Sequence, residues 1–388
     1  MIEFPSYLGP MAFGIKMGVI LPGTDLLNEV YQSMEKCHRD GLLSEGDALC
    51  ITESVVARAQ ENYVSVAEVS QEIKETLHLK DQDRVAVVFP IASRNRFSLL
   101  LKSIAEAVSQ GEVVVQLSFP YDEVGNQVIP PDMAEDRQEE IIWEEELQGK
   151  DLKHPITQVD YISLYRQIIE EAGAKATIFL SNKAPHILDF SPQAIIVADV
   201  HTRKKTKEKL SAALNNCITL QEICAHGENS SEWGLLGSNL SSNDRIKLAP
   251  KNGKEFVEAV QKKIMEKLSI RVEVLIYGDG AYKDPSSGIY ELADPQPVFA
   301  STDGLGVLRE GIKYKFLADQ YYHNGKSPQE IEEMLQEKKK EAVALNSIET
   351  EGTTPRPVED ILASLADLVS GSADEGTPLV LVKGFNKD

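Results

Sequence analysis

The sequence predicts an α/β fold in which residues 84–225 could form a parallel-sheet α/β domain in their own right. Three observations predict it. Residues 84–225 alternate short apolar strands with helical patterns, the rhythm of a parallel sheet covered by helices. Residues 272–276 (VEVLI) read as a buried strand that opens into the turn Gly278-Asp279-Gly280. The closing run within 376–385 is too apolar for an edge tail, so it is expected to return to the core sheet. A chain of 388 residues is long enough for two or three domains of roughly 100–200 residues each.

In chain order, residues 12–21 (AFGIKMGVIL) read as a first strand, stopped by Pro22-Gly23. Thr24 or Asp25 can cap a helix to about His38, with Leu26, Leu27, Val30 and Met34 at helical spacing. Glu45-Gly46-Asp47 turns into a second strand at 48–52, and Glu53, Ser54 and Arg58 follow it. Ser65 and Glu68 form a capping box for a helix to about His78. The block 84–225 then predicts strands at 84–90, 112–119, 176–180 and 193–199, with helices at 97–109, 160–172 and 202–214. Its acidic span, 132–151, reads as a solvated helix or a mobile flap, because adjacent like charges repel rather than converge. Beyond it, 256–268 is an amphipathic helix that feeds the strand at 272. Helices are expected at 311–323, from the capping box Ser327–Glu330 to about 345, and at 358–369, with a polar linker at 350–357.

The balance of charge narrows the function. With 61 acids against 40 bases the formal net charge is −21. Nucleic acid and anionic membranes both demand clustered Lys and Arg, so neither is an expected partner. The four cysteines, Cys37, Cys50, Cys217 and Cys224, make no metal-spaced pair and read as free thiols of a reducing cytoplasm. No signal peptide and no apolar stretch of ~20 residues is evident, so a cytoplasmic protein is expected. The phosphate loop GxxxxGK[ST], the dinucleotide fingerprint GxGxxG and the nucleophile elbow GxSxG are all missing.

Two strand ends carry the candidate chemistry. Asp279 stands at the carboxyl end of a central strand, where ligands collect in α/β sheets, and its flanking glycines allow close approach. A plain Asp-Gly turn is the competing reading. Ser93-Arg94-Asn95-Arg96 follows an apolar strand and opens a helix; helix N–H groups and two guanidinium forks there could hold a carboxylate or phosphate. Alternatively, Arg94 and Arg96 pair with nearby acids.

Several segments resemble the gamma-glutamyl ligase family that acts on coenzyme F-420. These are Glu45-Gly46-Asp47 with the strand ALCITESVVARAQ, the stretch WGLLGSNLSSNDRIKLAP at 233–250, the helix and strand at 254–280, and the closing VEDILASLADLVSGSADEGTPLVLVKGF. The resemblance covers about 1–80 and 226–388 and leaves 84–225 as an insertion, so the division it implies is a discontinuous core, 1–83 plus 226–388, around an inserted α/β domain at 84–225. It implies an α+β core and a ligase that joins L-glutamate to a coenzyme precursor, with GTP or another nucleotide as substrate and Mg2+ or Mn2+ as cofactor. It implies a homodimer as well. Asp279 would be a metal ligand and catalytic residue, with Arg58 as the basic catalytic residue. Ser238 and Lys283 would join Ser93–Arg96 around the nucleotide. The family's second metal acid falls at Asn239, a weaker donor for a hard cation, and Glu53, Asp284 or Glu291 could replace it. That departure leaves a second reading open: a non-catalytic ligand-binding or regulatory protein on the same scaffold.

Overall fold

The computed structural model describes the chain apart from residues 1–4, 6, 136–139, 280–281, 284–289, 310–312, 339–346, 349, 351–355, 371–375 and 386–388. The amino-terminal elements are β1 (Met11–Ile15), α1 (Leu26–Arg39), β2 (Ala48–Thr52), α2 (Glu53–Ala59), β3 (Tyr63–Ser65) and α3 (Val66–Thr76). Next come β4 (Arg84–Val88), α4 (Arg94–Ala107), β5 (Glu112–Leu117), β6 (Ile142–Trp143) and α5 (Tyr161–Glu171). They are followed by β7 (Lys175–Leu180), β8 (Ala194–Val197), α6 (Arg203–Ser211), β9 (Cys217–Thr219), β10 (Asn239–Leu240) and β11 (Arg245–Lys247). Then come α7 (Gly253–Leu268), β12 (Glu273–Tyr277), β13 (Tyr282–Lys283), β14 (Tyr290–Glu291), β15 (Val298–Ser301) and β16 (Leu308–Arg309). The last elements are α8 (Tyr314–His323), α9 (Pro328–Lys338), β17 (Arg356–Pro357), α10 (Val358–Val369) and β18 (Leu379–Lys383).

A five-stranded sheet in the order β1-β18-β2-β12-β15 joins the two ends of the chain. The closing strand is fully buried between β1 and β2, as its composition demands. Alternation along the strands feeds two cores. Leu49, Ile51, Val274, Ile276, Leu379 and Leu381 face Val30 and Met34 of α1 and Val257, Val260 and Ile264 of α7. Ala48, Cys50, Leu275, Tyr277, Val380 and Val382 face Leu362, Ala363 and Ala366 of α10. Helices on both faces explain why β12 is apolar almost throughout.

The second sheet has six strands in the order β6-β7-β5-β4-β8-β9, all parallel except β6. Its first strand in sequence, β4, is central: the chain moves out to β7 on one side and then returns to β8 on the other. Ligands in such sheets collect in the crevice at that reversal, outside the carboxyl ends of the strands. Val66, Val69 and Ile73 of α3 share a core with Leu101 and Ile104 of α4, so this helix packs on the second sheet although it precedes residue 84.

Several boundaries differ from expectation. The first strand stops at Ile15, having only the five residues of β18 to pair with. Helix α4 starts at Arg94, not 97, because the Ser93 hydroxyl accepts the Arg96 N–H at 3.2 Å. The described part of the acidic span holds β6 and a short 3-10 turn, and Glu144 there takes the guanidinium of Arg166. The three-stranded sheet β10-β11-β3 was not expected at all. All four cysteines are buried and free. No helix among the described residues is long and apolar enough to cross a membrane.

Candidate functional site

Strands β2 and β12 run parallel and in register, with Tyr277 opposite Thr52. Their carboxyl ends therefore put Glu53 and Asp279 on one edge of the core sheet. Between strand and acid stands Gly278, whose missing side chain is essential. A Cβ there would lie 2.4 Å from Asp294 Oδ2 and 2.6 Å from Phe299 Cε2. Asp294, on the approach to β15, is completely buried. Its Oδ2 accepts the backbone N–H of Asp279 at 2.8 Å.

The cation comes from the other sheet. Arg96 lies in the first turn of α4, just past the carboxyl end of β4. Its Nη1 donates to Asp294 Oδ1 at 2.6 Å, and its Nη2 donates to Asp279 Oδ2. The two sheets thus meet carboxyl edge to carboxyl edge, bridged by one guanidinium that binds two acids. A planar fork suits that bridging in a way a lysine ammonium would not.

A second buried pair completes the cluster. Lys247 of β11 donates to Glu53 Oε2 at 2.9 Å and to Ser54 Oγ at 3.0 Å. Three carboxylates, Asp279, Asp294 and Glu53, therefore face two cations, Arg96 and Lys247. The imbalance shows in the ionisation. Asp279, though 38% exposed, is pushed up to about 7, first by burial and then by the charge of Asp294, against the pull of Arg96. Burial also raises Glu53; Lys247 opposes this, and Asp294 adds to it. Burial alone would lower Arg96, but Asp294 and Asp279 more than offset it and hold the guanidinium charged.

The residues expected from sequence fall around this cluster unequally. Asn239 Oδ1 accepts from Asn95 Nδ2 at 2.8 Å, so Asn239 and Asp279 both meet the first turn of α4, through neighbouring residues. Lys247 pairs with Asn239 across the β10–β11 ladder. Ser93 caps α4, while Arg94 and Arg58 are exposed. Ser238 is buried, and its hydroxyl donates to the carbonyl of Leu235 at 2.7 Å. Lys283 and Glu291 are described only as backbone in β13 and β14, and Asp284 lies outside the described residues. Asp294 and Lys247 did not emerge from the sequence as site residues. Asp294 reads there as half of a loop Asp-Pro pair; Lys247 leaves one trace, a charge set between Ile246 and Leu248.

Oxygen donors of this kind suit a hard divalent cation. As placed, however, the carboxylates turn to Arg96 and Lys247, and among the described residues no group of three or more His, Cys, Asp or Glu side chains converges as a metal site. A cation entering here would take over charge that the two basic side chains now balance.

Fold and site together define an α/β protein whose acidic, guanidinium-bridged centre lies between the carboxyl edges of two sheets. The profile of the family described as F420-0:Gamma-glutamyl ligase matches residues 14–384, and the chain belongs to that family. The matched span runs through 84–225 as well as the flanking segments. No curated protein matches the chain. Among solved structures, a chain of the tetrameric eIF2B-beta2-delta2 complex from C. thermophilum is similar at 11% identity and a TM-score of 0.25. The match covers 50% of this chain and 53% of that one, about half the length of each. So low a score carries no argument about fold or function.

Proposed function

We propose that this protein is an amide-forming ligase that adds L-glutamate to a coenzyme F-420 precursor or a related carboxylate or phosphate acceptor, with a nucleotide and a divalent metal. The carrying observation is Arg96 bound to both Asp279 and Asp294 where the two sheets meet. Family membership supports the ligase class. In this reading the nucleotide transfers a phosphoryl group to the acceptor carboxylate. The glutamate amine then displaces phosphate, forming the amide and releasing one proton. Arg96 and the first turn of α4 hold the anionic groups, as forked donors and helix N–H groups do. Lys247 pairs with Glu53 and opposes the rise that burial imposes on its carboxyl. Asp279 and Glu53 would hold the metal, whose chemistry would be to neutralise charge as the phosphoryl group moves.

The division into a core and an inserted domain belongs to the same proposal. The insertion delivers Arg96 to acids that the core supplies, so neither part has a complete site alone. Titration calorimetry with GTP and ATP, with and without Mg2+ or Mn2+, tests the nucleotide requirement. Amide formation from glutamate and the deazaflavin precursor tests the reaction. No binding of either nucleotide under any metal condition refutes the nucleotide-dependent part.

One observation favours a second reading, a binding or regulatory protein. Asn239 stands where the family resemblance has an acid, and its amide oxygen is already engaged by Asn95. Asn239→Asp separates the two: new metal binding and higher turnover support a ligase, whereas no change supports the regulator.

A further inference from the structure

Arg96 can meet Asp294 because the chain between β12 and β15 docks on the second sheet. Three consecutive residues make that contact. Asp294 Oδ1 accepts Arg96 Nη1 at 2.6 Å. Ala293 lines, with Arg96, Val200 and Leu236, a gap of only about 20 Å³, room for one water at most. The Leu292 carbonyl meets Nε2 of His201 at 2.5 Å. A carbonyl can only accept, so this ring nitrogen carries its hydrogen. The neutral Nε2–H tautomer and the imidazolium both keep that donor, so the contact needs no change of charge.

His201 stands on the turn between β8 and α6, and that turn is held from several sides. Its backbone N–H donates to Glu123 Oε1. Asp199, 1% exposed, accepts the hydroxyls of Thr202 and Thr206 at 2.5 and 2.8 Å through Oδ2. Arg203 Nη1 donates to the Val200 carbonyl. Beside Glu123 stands Asp122, buried, whose Oδ2 accepts the Ala92 N–H at 2.7 Å in the turn that opens α4. Two adjacent acids of one loop thus fix both partners of the ion pair. Asp122 holds the turn that leads to Arg96. Glu123 holds His201, which in turn holds the segment that carries Asp294. A side chain on so fixed a backbone can set the position of what it touches. The imidazole is also the exposed member of the series, so it can be changed without opening the core.

We infer that His201 is a positioning residue of the centre: its Nε2–H seats residues 292–294 so that Asp294 engages Arg96 and the Asp279 N–H together. Its effect on turnover rests on the ligase reading above; its effect on the ion pair rests on geometry alone. Losing such a contact displaces the acids without removing them, so turnover suffers more than substrate binding.

Substitution at 201 tests it, because glutamine places an amide N–H where the imidazole has Nε2–H, whereas asparagine places it where the ring has Nδ1, short of Leu292. His201→Ala and His201→Asn are expected to lower kcat for amide formation about tenfold with the nucleotide KM within about twofold, and His201→Gln to recover at least about half of the wild-type kcat. Wild-type kcat in His201→Ala, or a His201→Gln enzyme as impaired as His201→Ala, overturns the inference. A double-variant cycle in urea denaturation reads the same coupling without the reaction. His201→Ala should lower the unfolding midpoint of the wild type, and by less than about half as much in the Arg96→Ala background, where the ion pair it supports is already gone. Equal losses in the two backgrounds overturn the inference as well. Should Arg96→Ala fail to fold, Arg96→Lys takes its place in the cycle. Absence of amide formation by the wild type refutes the ligase reading and leaves the cycle to decide the role of His201.

Discussion

The two ends of β2 carry buried charges built on opposite plans. At its amino end, Asp47 receives Lys383 at 2.5 Å, and Lys383 also donates to Ser44 Oγ at 3.0 Å. The side chains are 7% and 4% exposed, one cation to one acid, and they fasten the last strand to the second. At its carboxyl end, three acids crowd two cations, and one of those acids titrates near neutrality. The closed, neutral pair has nothing left to exchange. The unbalanced cluster can trade a proton or a counter-ion with a ligand. Burial alone does not mark a site; uncompensated charge beside an opening does.

The widest separation between the two ends should come from Arg96→Ala. It strands the fully buried Asp294 and should cost about 3–5 kcal/mol in chemical denaturation, together with nearly all ligase activity. Arg96→Lys should recover part of the stability but little activity, since an ammonium lacks the planar, fixed fork that holds two acids at once. Lys383→Met should destabilise by a similar ~3–5 kcal/mol, yet the double variant Asp47→Asn with Lys383→Met should regain most of it with turnover unchanged. Loss of activity in that double variant would show that the amino end also serves the reaction.

Smaller effects sharpen the same contrast. Gly278→Ala forces a Cβ against Asp294 and should cost about 1–3 kcal/mol while lowering activity. The pH response has a definite sign. The folded Asp279 carboxyl is raised to about 7. Between the ordinary value of about 4 and that point, the folded state holds more protons than the unfolded one. Its contribution to stability is therefore greatest in acid and is lost as pH rises toward neutrality. Melting temperatures from acid to neutral should fall less steeply in Asp279→Asn than in the wild type; identical slopes would refute the shift. Ser93→Ala, which removes only the cap of α4, should cost about 1 kcal/mol, with a modest rise in the KM of the phosphate-bearing substrate.

Much of this molecule was legible beforehand because local chemistry specified it. The capping box at Ser65 and Glu68 formed as its spacing demands. The apolar run at 379–383 could satisfy its backbone and side chains only inside a sheet. The alternation across 84–225 produced a helix-covered, mostly parallel sheet. The strands β10 and β11 were not legible, since two or three residues carry no readable period and are held by their partners.

Sequence alone determined that the chain is an α/β protein with an acid at the end of its central strand and arginines opening a helix elsewhere. Those features follow from apolar period, capping and turn chemistry, all of which act over a few residues. Only the tertiary structure decided that Arg96 would meet Asp279 and Asp294, 183 and 198 positions away, and that Lys247 would neutralise Glu53 from 194 positions away. Such partners are chosen by the docking of one sheet edge against another and by the need to compensate each buried charge, and no local pattern records that choice.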